Sequence, residues 1–135
     1  MSRKGVYVAV FLAACHTTVA ASKSWDCEIL PSEQAVEVDP QTGARVIFIT
    51  TNPATDTNLY FHTRCFLWNN RLMLFQSDRF GRREVMGYFA DTGELVRLNQ
   101  ADSPAAGLPV ASVKGDRLFV FKDNAIYAWQ LDVVP

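Results

Sequence analysis

Histidine is nearly missing from this chain, which holds only His16 and His62 among 135 residues. Cysteine is scarce as well: Cys15, Cys27 and Cys65 form no C-x-x-C pair, so zinc-cluster and thiol-redox spacings are both excluded. No basic run extends beyond Arg3-Lys4 and the local Arg79…Arg82-Arg83 group, and formal net charge is −1. Binding through nucleic-acid phosphates needs a basic face, so nucleic acid is not an expected partner. No apolar run approaches the roughly 20 residues that cross a bilayer as a helix. Ser/His/Asp sets, phosphate-binding loops and closely spaced carboxylate pairs are also wanting. What is present is 49% apolar and 12% aromatic, a composition suited to packing one domain core.

The first residues read as a targeting segment. Arg3 and Lys4 precede an apolar stretch at 6–14, and small residues follow. This is the order of a secretory signal. Two cleavage readings compete. Leu12-Ala13-Ala14-Cys15 is similar to a bacterial lipobox, with Cys15 as the lipidated residue; alternatively, Val19-Ala20-Ala21 suits ordinary signal peptidase. Either predicts an exported protein, periplasmic or anchored as an outer-membrane lipoprotein, whose only membrane contact is the lipid. The expected boundaries are 1–21 for signal and tether start, 22–35 for a linker, and 36–135 for the folded domain. In an oxidising compartment Cys27 and Cys65 have two open readings, a disulfide or a small apolar filler.

The domain reads as all-β. Short apolar segments at 65–68, 72–76, 85–89 and 94–98 are separated by Asn69-Asn70, the charged 78–83 run and Asp91-Thr92-Gly93. Such punctuation predicts four antiparallel strands. Upstream, residues 36–50 predict a hairpin turning at 39–43, where Pro40 sets φ and Gly43 accepts a positive one. Two echoes follow. Asn70-Arg71-Leu72-Met73-Leu74-Phe75 matches Asp116-Arg117-Leu118-Phe119-Val120-Phe121, and 84–91 matches 125–132, with Asp123-Asn124 as a tight turn. Repeats of about 40–50 residues in an all-β chain mark propeller blades. The prediction is one whole blade, part of a second, and a strand at 45–50 that completes a blade whose other strands lie elsewhere. Closing a propeller would then require missing blades or other chains, since each blade face needs a neighbour.

These residues also carry a family resemblance. Asp39-Pro40-Gln41-Thr42-Gly43-Ala44-Arg45-Val46, then Asn58-Leu59-Tyr60-Phe61, Cys65-Phe66, Asp78-Arg79 with Gly81, and Thr92-Gly93-Glu94 together resemble the N-terminal part of oligogalacturonate lyases. The blade is also similar to the WD40-like repeats of TolB-type propellers. The first resemblance implies a seven-bladed propeller that cleaves pectin-derived oligouronates by β-elimination, with manganese held by residues of later blades. None of those ligands has a counterpart here, so no cofactor is expected in this chain, and alone it is expected to be inactive. The lyases carry a His-Arg pair where this chain has Asp56-Thr57. The second resemblance implies a different class, a non-enzymatic module for protein interaction in the cell envelope.

Asn58, Tyr60, His62 and Arg64 alternate along the run entering the first strand of the blade. Alternation predicts all four on one side of an extended segment. There Arg64 suits a uronate carboxylate through a charge-assisted fork, and His62 suits a base or a hydrogen-bond donor. The plainer reading is a solvated polar rim. The 78–83 run reads as a structural turn with an ion pair.

Overall fold

The computed structural model of the chain describes residues 5–12, 23–100, 109–115, 117–122 and 124–134. All regular structure among them is strand: β1 (Gly5–Leu12), β2 (Lys23–Asp26), β3 (Glu28–Leu30), β4 (Ala35–Val38), β5 (Arg45–Phe48), β6 (Asp56–Asn58), β7 (Phe66–Leu67), β8 (Leu72–Ser77), β9 (Glu84–Phe89), β10 (Leu95–Arg97), β11 (Pro109–Ala111), β12 (Arg117–Lys122) and β13 (Ala125–Val134). Pairing is antiparallel throughout. One sheet runs β3-β10-β9-β8-β6, with β7 also on β8; another runs β11-β12-β13-β1-β2; β4 and β5 form a separate hairpin.

The first sheet is the predicted four-stranded unit with β3 and β6 added to its edges. Its central strands, LMLFQS and EVMGYF, are buried on both faces, which is why they read as nearly continuous apolar runs. Leu72, Leu74, Val85, Val96 and Leu98 face the second sheet, meeting Leu118, Val120, Trp129 and Leu131 in one core. Phe75, Met86, Tyr88 and Leu95 face the other way, under Leu30, Ile49 and Phe80. The β4–β5 turn forms as expected: Asp39 Oδ1 accepts from the Gln41 and Thr42 amides at 2.7 and 3.0 Å, and Gly43 has φ +72°. Between β7 and β8 the reversal needs three left-handed residues, Trp68, Asn69 and Asn70, with φ of 50°, 55° and 68°. Asparagine tolerates that region, whereas tryptophan rarely adopts it.

Strands also form outside the expected 36–135 domain. Gly5–Leu12 pairs along its whole length with β13 and over four residues with β2. Val6 and Val8 are buried in the shared core, and the Cys27 amide donates to Val6 O at 2.8 Å. The expected linker likewise contributes β2 and β3, and Trp25 packs edge-on to Trp129 at 5.3 Å while its Nε1 donates to Leu98 O at 3.1 Å. The physical reason is that a β-branched run with valine at alternate positions satisfies both an apolar signal core and a buried strand. Cys15 and the 19–21 cleavage motif lie outside the described residues. Cys27 and Cys65 are both free thiols packed against the core, so the filler reading holds and the disulfide does not.

The echo of 70–75 at 116–121 is real but shifted by one residue, whereas that of 84–91 at 125–132 stays in register. In an antiparallel ladder, residues that bond to the next strand alternate with those that bond to the previous one, in step with the faces their side chains occupy. Ala90 N bonds to Arg71 O and Leu98 N to Val85 O, so Met73, Phe75, Met86 and Tyr88 are the residues bonded across β8–β9. Ser112 N bonds to Arg117 O, so Leu118, Val120, Tyr127 and Trp129 are bonded across β12–β13. The structural equivalents are therefore Met73 with Leu118 and Phe75 with Val120, not Leu72 with Leu118. A one-residue slip exchanges the faces.

Candidate functional site

Strand β6 sets the candidate site at the edge of the first sheet, with Asp56 opposite Ser77, Thr57 opposite Gln76 and Asn58 opposite Phe75. Buried Leu59 anchors the chain after it. The extended run expected over 58–64 stops there. Thr63 donates to Tyr60 O through both its amide, at 2.8 Å, and its hydroxyl, at 2.7 Å, closing a turn over 60–63. Strict alternation is thereby lost, because a threonine hydroxyl competes for the backbone carbonyl that an extended strand would leave to a neighbour.

The turn gathers three rings instead. Phe61 lies 4.0 Å from His62 and 4.6 Å from Tyr60, centre to centre, and Tyr60 lies 5.4 Å from His62. Phe61 is 78% exposed, so this is a solvent-facing aromatic tip and not part of the core. Of the four residues predicted together, the structure brings Tyr60 and His62 into contact. Asn58 stays behind on β6, and Arg64 follows the tip, exposed and without an ion-pair partner among the described residues.

A pocket of about 290 Å³ opens between β5 and β6. Ile47, Phe48 and Phe75 make its apolar wall, while Asp56, Thr57 and Asn58 line the polar side. Asp56 is held from behind. The nearly buried Arg79 guanidinium donates to Glu33 Oε1 at 2.8 Å and to Asp56 Oδ2 at 3.3 Å, and its Nε donates to Ser77 Oγ at 3.0 Å. The other Asp56 oxygen, Oδ1, is buried with no hydrogen-bond partner. The sequence did not point to this cluster, because Glu33 and Arg79 are far apart in the chain. The 78–83 run is a turn, as expected, with Gly81 N on Asp78 O at 2.8 Å. Its ion pairs are made elsewhere: Arg79 reaches Glu33 and Asp56, whereas Asp78 accepts from the Thr55 amide at 2.7 Å. Hydrogen bonds from Thr55 hold the Asp78 carboxyl below its ordinary pKa.

These groups can bind more readily than they can react. Burial, aided by the nearby charge of Asp26, pushes the Cys27 thiol up to about 12, which keeps it protonated and non-nucleophilic. Manganese finds no fitting donors here. Among the described residues no three His, Cys, Asp or Glu side chains converge. The Glu33 and Asp56 carboxylates are engaged by Arg79, and His62 lies tilted against Phe61 at an exposed turn. What the edge offers is an aromatic surface for C–H faces, hydrogen-bonding groups in a shallow pocket, and a free guanidinium.

No family model matches the chain, and no curated protein does. Solved structures do. An oligogalacturonate lyase from Vibrio parahaemolyticus is 20% identical over 71% of this chain, with a TM-score of 0.61. A second oligogalacturonate lyase, solved in complex with manganese, is 23% identical over 71% of this chain, also with a TM-score of 0.61. The match covers 26% of each of those chains, so this chain corresponds to about a quarter of their length. The resemblance read from the sequence is thus borne out at the level of the fold: the two packed sheets are blades of an oligogalacturonate lyase-like β-propeller.

Proposed function

We propose that the chain is a propeller segment that binds acidic oligosaccharide along the edge formed by β6 and the 60–63 turn. The observation that carries this reading is the exposed Tyr60-Phe61-His62 tip between Asn58 and Arg64, in a fold shared with oligogalacturonate lyases. Exposed rings stack on the C–H face of a sugar, and a guanidinium pairs with a uronate carboxylate in two parallel hydrogen bonds. Asn58 and the β6 side of the pocket are placed to meet hydroxyl groups. The role assigned is binding; Tyr60, Asn58 and Arg64 hold the ligand, and His62 acts as a hydrogen-bond donor or acceptor to it.

Titration calorimetry with short oligogalacturonates and with neutral galacto-oligosaccharides tests this. Heat from the acidic ligands alone is expected, and Arg64→Ala and Phe61→Ala should each weaken binding about tenfold, in line with ~1.4 kcal/mol per decade. Equal binding of neutral sugars, or no binding at all, overturns the reading. The same proposal includes export with lipid attachment at Cys15, which the N-terminal sequence pattern supports. Cleavage there would remove β1 and open the β13 edge, so the lipidated form is expected to be the less stable one on its own. Intact mass and N-terminal sequencing of protein recovered from cells distinguish a lipidated Cys15 start, an Ala21 cleavage and a retained β1.

A further inference from the structure

The two sheets carry a cation each at corresponding edges. β6 and β7 form the edge of the first sheet beyond β8, and β11 forms the edge of the second beyond β12. Because β12 corresponds to β8 and β13 to β9, β11 corresponds to the β6–β7 edge. Arg64 leads into β7, and Lys114 lies in the turn between β11 and β12. Both residues are exposed, and among the described residues neither makes an ion pair. Arg71, in the turn between β7 and β8, is by contrast already held by Asp91 at 3.0 Å.

The backbone ties these two cations together. Gly115 N donates to Ser112 O at 2.9 Å, closing the 112–115 turn, and Gly115 O accepts from Trp68 N at 2.9 Å. On the other side, Cys65 O accepts from Leu74 N at 2.6 Å, and Phe66 and Leu67 pair with Met73 and Leu72. The chain from Arg64 to Trp68 is therefore fixed to β8, and the Lys114 turn is fixed to Trp68. Four residues span at most about 14 Å, and the bridge from Trp68 to Lys114 adds about 10 Å. Each cation also has an exposed apolar neighbour in its loop: Phe61, 78% exposed, before Arg64, and Val113, 82% exposed, before Lys114.

We propose that the acidic-oligosaccharide site spans both sheets, with Lys114 as a second carboxylate-binding residue and an oligouronate longer than the dimer as its ligand. The inference rests on the binding role assigned above to the tip and Arg64. A polymer with a carboxylate on every sugar is the ligand class that can meet two separated cations at once, each beside an apolar group for a sugar C–H face. The guanidinium of Arg64 orients a carboxylate through its fork, whereas the ammonium of Lys114 attracts one as a point charge. Two such contacts within one ligand strengthen each other, because the second forms at high effective concentration. Both cations sit in loops at strand edges, so sheets packed on the faces of either blade leave them accessible.

Titration calorimetry of the full chain with the dimer and the hexamer of galacturonate tests this. A longer ligand also offers more registers to a single subsite, so the decisive quantity is what substitution does to the hexamer. Lys114→Ala should weaken hexamer binding about fivefold and leave dimer binding unchanged, while Lys114→Arg should keep most of the hexamer affinity. Arg64→Ala should weaken both ligands. Circular dichroism checks that each variant folds, and dimer binding by Lys114→Ala checks that the tip is intact. Hexamer affinity unmoved by Lys114→Ala, or a loss shared equally by the dimer, overturns the two-sheet site and leaves the tip reading standing. If neither ligand binds the unaltered chain, the tip reading falls, and the two-sheet site falls with it.

Discussion

Glu84 shows how much a single buried charge can depend on its partners. Its carboxylate is fully buried and accepts from Arg97 at 2.6 and 2.8 Å and from Arg82 at 2.6 Å, while Arg97 also lies 3.9 Å over the Phe80 ring. Burial alone would raise the Glu84 pKa. Hydrogen bonds and charge from Arg97 and Arg82 outweigh it, so the group sits below the ordinary 4.5. A folded-state pKa below the unfolded one stabilises the fold above the ordinary value, and that contribution disappears as pH falls through the folded pKa. Urea midpoints should therefore hold through neutrality and drop in acid below about pH 4.5, with a shallower drop in Glu84→Gln. Glu84→Ala removes the carboxylate that two guanidinium groups share, leaving Arg82 on Gln100 O and Arg97 on Glu28 and the Phe80 face, and is expected to cost about 1–3 kcal/mol at neutral pH, read by urea denaturation. An unchanged midpoint would show the network to be dispensable. At the same scale, the Asn58, Tyr60, His62 and Arg64 set was readable only as a list of residue types. Their grouping depended on whether the Thr63 hydroxyl would bend the run, a competition between local hydrogen bonds that residue alternation does not report.

Among the elements, β1 is the one whose role changes most between sequence and structure. It contributes Val6 and Val8 to the core and closes the edge of β13 over eight residue pairs. Deleting residues 1–21 removes two buried valines at about 1.5–3 kcal/mol each, a loss of roughly 3–6 kcal/mol before the ladder hydrogen bonds are counted. The truncated chain is expected to unfold at much lower urea or to associate through its opened β13 edge. A truncated chain as stable as the full one would mean that β1 contributes nothing to the folded state. By contrast, β8, β9 and β10 were legible almost to the residue, because Asn, Asp and Gly bracket short apolar runs that have no other use. The hairpin of β4 and β5 was legible for the same reason, through Asp39, Pro40 and Gly43. The register of β12 was not. Alternating apolar residues look alike when displaced by one position, and only the Ser112–Arg117 hydrogen bond shows which face Leu118 occupies.

For the whole molecule, the two large sheets share one core, and Trp68 N bonds to Gly115 O across them at 2.9 Å. Neither sheet can lose its inner face without exposing the other. Tryptophan fluorescence and far-ultraviolet circular dichroism should report a single coincident unfolding transition for both. The β4–β5 hairpin has little buried surface, and its amides should exchange with solvent well before those of β8 and β9. Separate transitions for the two sheets, or equal protection of the hairpin, would contradict this account. The sequence by itself determined an all-β chain, the places of its turns, the blade-like repeat and the resemblance to oligogalacturonate lyases. These follow from local patterns of apolar, turn-forming and β-branched residues. Only the tertiary structure decided that Gly5–Leu12 is a strand, that the echo at 116–121 is shifted by one residue, that Arg79 joins Glu33 to Asp56, and that three rings gather at 60–62. Each of those depends on which distant segment supplies the neighbour, and local pattern carries no record of it.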